Sequence, residues 1–209
     1  MTPAFEAHER QKLRDVLTRK SVQVQVGRKF KLASGSVSEV YIDAKRTTCY
    51  PEAMPLIGRA FLWKIAECGW SPKAVGGKTV GADPIAFSIA RESIEAVSGK
   101  RQTPINAFIV RKEPKKHGME QYIEGLEQTE GIPVVIVDDV CTSGGSTGDA
   151  IEKAKTAGMK VLGAICLVDR EEGATKFLSG KYGCQLESIF KMSDLLTGHD
   201  VAAEPIGAR

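Results

Sequence analysis

The 209 residues carry a formal net charge of +3, with 42% hydrophobic and 26% charged positions. That is ordinary for one globular domain with a sizeable core, and it is too little bulk charge to argue for a nucleic-acid partner. Five scattered cysteines, Cys49, Cys68, Cys141, Cys166 and Cys184, form no Cys-x-x-Cys pair, which argues against a disulfide framework or zinc site and for a reducing, cytoplasmic setting. The N-terminal MTPAFEAHERQK is polar and contains acids, so no secretion signal is expected there, and no apolar run approaches the ~20 residues of a membrane span. In chain order, residues 5–20 predict an amphipathic helix with Leu13, Val16 and Leu17 inward. Val22, Val24 and Val26 alternate with polar residues as in a strand that Gly27 breaks. Residues 30–35 and 40–43 predict a hairpin or bent pair of strands, and Pro51 opens a helix over 51–68 that Gly69 closes.

Residues 74–84, AVGGKTVGADP, predict a short buried strand, a glycine turn and the start of a helix over 85–97. Gly77-Lys78-Thr79 ends like a nucleotide P-loop, but that pattern needs a glycine five residues earlier, where Pro72 stands. Gly76, Gly77 and Gly81 then serve either close backbone approach to a ligand or tight turns. A buried strand over 105–110 runs into Arg111-Lys112-Glu113-Pro114-Lys115-Lys116-His117-Gly118. Such a charge run is ordinarily a solvated surface; its place after a strand favours an anion-binding loop.

The densest signal is PVVIVDDVCTSGGST, residues 133–147. Val134 to Val137 is a β-branched run without polar alternation, which predicts a strand buried on both faces. It ends in Asp138 and Asp139, then a turn rich in glycine and hydroxyls, then a helix over 149–157 closed by Gly158. Two acids can accept hydrogen bonds from vicinal hydroxyls, while glycines and a helix N-terminus hold a phosphate. A sugar phosphate satisfies both halves; the alternative is two acids that merely cap a helix. Beyond it, residues 161–168 predict a buried strand that delivers Arg170 to its carboxyl end, for a ligand contact or a salt bridge to Glu171 or Glu172. A short helix over 174–180, a strand over 184–190, a helix over 193–196 and a frayed tail from His199 complete an α/β domain with a Rossmann-like central parallel sheet flanked by helices.

This central stretch resembles the phosphoribosyl-diphosphate motif of type I phosphoribosyltransferases. Together with FKLASGSVSEVYIDAK, VGGKTVGADPIA, FIVRKEPKKHGMEQYIEG and VDREEG, in this order, it resembles the orotate phosphoribosyltransferases in particular. The resemblance implies one domain over 1–209, with a hood over about 1–50 and a core sheet over about 70–190. It implies that Arg111, Lys112, Lys115 and His117 contact the diphosphate of phosphoribosyl diphosphate, with Lys115 and His117 reaching into a neighbouring subunit of a homodimer with shared active sites. Asp138 and Asp139 would hold the ribose hydroxyls, and Val140, Cys141, Thr142, Ser143, Gly144, Gly145 and Ser146 would form the rest of the substrate loop. Thr142 and Arg170 would touch orotate, Arg170 through its carboxylate. Lys115, Asp138 and Asp139 would be catalytic. Mg²⁺ is the implied cofactor, held mainly by substrate rather than by a protein metal cage; nucleic acid and membrane are not implied partners. Ala33 and Val80 stand where some members carry lysines, and whether Lys78 substitutes is open. A phosphoribosyltransferase for another base, or a non-catalytic nucleotide sensor on the same fold, are the competing readings.

Overall fold

The computed structural model describes residues 5–24, 30–31, 37–97, 103–114 and 121–197. Val26, Gly27, Ala33, Lys115, His117, Gly118 and the tail from His199 lie outside the described residues. The chain opens with α1 (Ala7–Ser21), which buries Leu13, Val16 and Leu17 as its periodicity requires. β1 (Val22–Val24) follows, then β2 (Phe30–Lys31) and β3 (Val37–Ser38), which pair antiparallel with each other. β4 (Val40–Ile42) returns to β1, Val22 opposite Ile42. The hairpin is therefore formed between β2 and β3, while residues 40–42 belong with the first strand. A short helix that no periodicity announces, α2 (Lys45–Thr48), turns the chain into α3 (Met54–Glu67). Pro51 lies in the turn before α3, and Pro55 occupies its first turn, where a missing N–H costs nothing.

The remaining elements alternate: β5 (Ala74–Lys78), α4 (Asp83–Val97), β6 (Asn106–Val110), β7 (Ile123–Glu124), β8 (Pro133–Cys141), α5 (Gly145–Thr156), β9 (Lys160–Asp169), α6 (Ala174–Tyr182), β10 (Leu186–Lys191) and α7 (Met192–Leu196). Six strands form one sheet in the order β10-β9-β8-β5-β6-β7. Its pairs are parallel except the edge strand β7, which runs antiparallel to β6. The sheet is thus the expected parallel one between helices, apart from its antiparallel edge strand β7.

β8 sits in the middle, and Val134, Val135, Ile136 and Val137 are each fully buried. Val135 and Val137 pack with the cluster that contains α1, α3 and α4, whereas Val134 and Ile136 pack with α5 and α6. Burial of each such side chain is worth ~1.5–3 kcal/mol, so a slip of one residue would exchange the two faces at no apolar gain but would carry the acids that follow to the wrong sides.

Gly76 and Gly77 lie inside β5 rather than in a turn. A Cβ on Gly76 would strike the Phe108 carbonyl, and one on Gly77 the Val137 carbonyl and, at 2.8 Å, Ala82 Cβ. Their close neighbours are other parts of the protein, so these two glycines permit packing of β5 with Phe108 on β6, Val137 on β8 and the start of α4. Gly77→Ala should therefore lower stability by ~1–3 kcal/mol, as overpacking does, measured by urea denaturation; an unchanged midpoint would show that the strands part without cost.

Candidate functional site

The two-residue period of a strand decides the site. Asp138 and Asp139 are adjacent on β8, so their side chains leave opposite faces. Asp138 follows Val134 and Ile136 towards α5, where Thr147 Oγ1 donates to its Oδ2 at 2.6 Å and the Asp139 N–H donates to its Oδ1 at 3.0 Å. Burial first, and the neighbouring Asp139 charge second, push the Asp138 carboxyl from its ordinary 3.8 up to about 7. Asp139 faces the other way. Its Oδ1 accepts the Val140 N–H at 2.9 Å, and its Oδ2 accepts from Lys45 Nζ at 3.3 Å. Gly81, in the turn between β5 and α4, has no room for a side chain because a Cβ would lie 2.5 Å from Asp139 Oδ1. Of the glycines considered from sequence, Gly81 is the one whose space is taken by a site carboxylate.

Four positions that the sequence assigned to a turn differ in the structure. β8 continues through both acids to Cys141, and α5 begins at Gly145, one turn earlier than residue 149. Gly144 caps that helix in the left-handed conformation, φ +83°, without any side-chain cap. The first N–H groups of a helix have no partner within it, so the Gly145–Ser146–Thr147 turn presents donors and a positive dipole end. Ser143, Gly145 and Ser146 are exposed, and Thr142 is half-buried. Cys141 is buried, its thiol 3.0 Å from Thr147 Oγ1; because that hydroxyl already donates to Asp138, the thiol is the donor. Cys141 can therefore meet a ligand through its main chain alone.

Arg170 follows β9 and is buried. Its N–H donates to the Cys141 carbonyl at 2.9 Å, its Nε to Glu172 Oε1 at 2.8 Å, and its terminal nitrogens to the Val40 carbonyl at 3.4 Å. The salt bridge to Glu172 considered from sequence exists, while Glu171 Oε2 accepts the Ser193 N–H. On the other flank, Arg111 and Lys112 leave the carboxyl end of β6. Arg111 pairs with Glu124 at 3.1 Å, and Lys153 Nζ on α5 holds the carbonyls of Arg111 and Lys112 at 3.1 and 3.2 Å. Lys78, at the end of β5, pairs with Asp149 Oδ2 at 2.6 Å, which Lys153 also contacts at 3.1 Å. Burial alone would raise the Asp149 carboxyl, but the hydrogen bonds from Lys78 and Lys153 outweigh it and hold it below its ordinary value.

One edge of the sheet thus gathers Asp138, Asp139, Thr142 to Ser146, Arg170, Arg111 and Lys112. Lys45 and Thr147 join them although no role was assigned to them from sequence, and Gly81 joins them through the close approach that the sequence had left open. Lys45 lies 94 residues from Asp139, and no local spacing could have linked the two. Among the described residues no cluster of three or more His, Cys, Asp or Glu could hold a metal ion by itself. No described helix is long and apolar enough to cross a membrane.

A buried central strand, adjacent acids on its opposite faces and a helix start without a side-chain cap place the chain among α/β proteins whose ligands bind at the carboxyl edge of the sheet. The phosphoribosyl transferase domain family matches residues 51–195, more than half of the chain. The chain is 43% identical over 188 residues to an orotate phosphoribosyltransferase of Aquifex aeolicus, covering 90% of this chain and 98% of that one. It is 40% identical over 169 residues to that of Rhodopirellula baltica, covering 79% of this chain and 84% of the other. Its structure superposes, with a TM-score of 0.73 and 34% identity, on a Mycobacterium tuberculosis orotate phosphoribosyltransferase solved with Fe(III) dicitrate, over 90% of this chain and 98% of that one. The chain belongs to the phosphoribosyltransferase family and, within it, to the orotate phosphoribosyltransferases.

The raised Asp138 carboxyl makes stability depend on pH. Between 3.8 and about 7 the folded chain holds a proton there that the unfolded chain releases, so this group's contribution to stability falls as pH rises through that window. Asp138→Asn should flatten the slope of urea-unfolding free energy across pH 4–7. An equally steep slope in the variant would place the proton elsewhere.

Proposed function

We propose that this chain transfers the 5-phosphoribosyl group of phosphoribosyl diphosphate to orotate, giving orotidine 5′-phosphate and diphosphate. The observation that carries this reading is the pair Asp138–Asp139 beside the first turn of α5, which has no side-chain cap. The ribose 2′- and 3′-hydroxyls would donate to the two carboxylates, and a hydroxyl on Asp138 would favour its ionised form. The main chain of Val140 to Thr142, with Ser143, Gly144, Gly145 and Ser146, would surround the 5′-phosphate. Arg111 and Lys112 would face the diphosphate. Lys115 and His117 would complete it from the neighbouring subunit of a homodimer, with Lys115 stabilising the leaving group.

Diphosphate leaves the anomeric carbon, the transition state has oxocarbenium character, and a ring nitrogen of orotate attacks. The protein's part is positioning and electrostatic stabilisation rather than proton transfer. Arg170 would pair with the orotate carboxylate in competition with Glu172, and Thr142 would border the base. The oxygen-rich edge at Asp138 and Asp139 fits a hard cation that arrives on the substrate, since Mg²⁺ takes few protein ligands and keeps its waters. When bound, Mg²⁺ would neutralise charge on the diphosphate. Five free cysteines suit a cytoplasmic enzyme.

Absorbance at the orotate band, followed with phosphoribosyl diphosphate and Mg²⁺, tests the reaction. The double variant Asp138→Asn, Asp139→Asn should keep its circular dichroism and lose nearly all turnover; near-normal turnover in the folded double variant would remove the acids from the site. Arg170→Ala should raise the KM of orotate by roughly tenfold or more, the cost of a lost charge-assisted hydrogen bond, with a smaller change for phosphoribosyl diphosphate. Equal changes for both substrates would make Arg170 a structural residue.

A further inference from the structure

We propose that Lys45 is a positioning residue of the transfer reaction, fixing the Asp139 carboxylate at the sheet edge through a direct ion pair. The proposal rests on the reading of Asp138 and Asp139 as the ribose seat.

Asp139 is constrained from three directions. The Val140 N–H donates to Oδ1 at 2.9 Å. Gly81 closes the space beside the same oxygen, so any larger residue there would displace the carboxylate. Oδ2 is left as the outward acceptor, and Lys45 Nζ stands 3.3 Å from it. No other ion pair to Asp138 or Asp139 is seen among the described residues. The ammonium is itself braced: Asp43 Oδ1 lies 3.4 Å from it. Asp43 is fixed by its N–H, which donates to the Ser21 carbonyl at 2.9 Å, and α2 is tied to α1 by the buried contact of Ser21 Oγ with Thr47 Oγ1 at 2.7 Å. Lys45 thus reaches Asp139 from a backbone anchored on a different layer, so the pair has a defined geometry rather than that of two mobile surface chains.

Burial pulls the Lys45 ammonium down, but Asp139 and Asp43 outweigh it and hold it above its ordinary value, so it remains a cation at neutral pH. Its effect on Asp139 is modest while water surrounds it. When a ribose covers this edge, screening falls and the same charge acts more strongly on the acceptor oxygen. A residue that acts through Asp139 should matter to phosphoribosyl diphosphate and not to orotate, and its effect should vanish once Asp139 can no longer be paired.

The test is calorimetric binding of phosphoribosyl diphosphate, with Mg²⁺, to the full chain carrying Lys45→Met, Lys45→Arg, Asp139→Asn or the Lys45→Met, Asp139→Asn pair. Melting curves check each fold, and Lys45→Gln replaces the Met variant if that one melts early. Lys45→Met should weaken binding roughly three- to tenfold with the KM of orotate unchanged, and Lys45→Arg should restore most of it. The double variant should bind as Asp139→Asn does. Wild-type binding by Lys45→Met, or a loss that adds in full to that of Asp139→Asn, would overturn the proposal while leaving the ribose seat standing. An Asp139→Asn variant that binds normally would overturn the seat itself, and the proposal with it.

Discussion

The pleat of β8 is the constraint on which the site depends. Because side chains alternate across a strand, two adjacent acids at its end enter different environments. Asp138 goes into the α5 side, where Thr147 and a backbone N–H hold it and burial raises it to about 7. Asp139 goes to the α4 side, against Gly81 and beside Lys45. A single carboxylate could not offer acceptors on both sides of the strand end. The register that fixes this split is set upstream, by four residues buried on both faces, and the core thereby specifies the chemistry at the edge.

The N-terminal layer is docked by a different force from the one that makes it useful. Leu13 and Leu17 of α1 are fully buried, and each is worth ~1.5–3 kcal/mol, whereas a half-exposed ion pair such as Lys45–Asp139 contributes ~1 kcal/mol or less. Apolar burial therefore seats the layer. Polar contacts from it then fall on the sheet edge: Lys45 on Asp139, and the Val40 carbonyl under the Arg170 guanidinium. Loss of Lys45 perturbs an acceptor; loss of Arg170 also removes a buried partner of Val40 and Glu172, for which a larger structural effect is expected.

Much of this was legible in the sequence, for physical reasons that can be named. The β-branched run at 134–137 has a composition that suits a strand covered on both faces, and the order acid, acid, glycine, hydroxyl marks the strand end and the turn after it as the candidate site. α5 was read one turn late because Gly145, Ser146 and Thr147 have poor helix propensity; what places them in a helix is the left-handed Gly144 cap and the packing of the first turn. α2 and β7 were missed because four and two residues are too few to show a period. The Lys45–Asp139 and Lys78–Asp149 pairs join segments 94 and 71 residues apart in the chain, and only the assembled sheet brings them together. For Gly76 and Gly77 the sequence suggests ligand approach or a tight turn; close approach to a neighbouring strand demands the same residue, and the sequence alone does not separate the three.

The proposed seat of the substrate's phosphate and ribose is the β8–α5 turn at the carboxyl edge of the sheet. Amide hydrogen exchange with and without phosphoribosyl diphosphate and Mg²⁺ tests it residue by residue. Substrate seated there should slow exchange at the amides of residues 142–147, with little change at the amino edge around Lys73, Asn106 and Gln128. Protection confined to that opposite edge, or absent from residues 142–147 at saturating substrate, would contradict it.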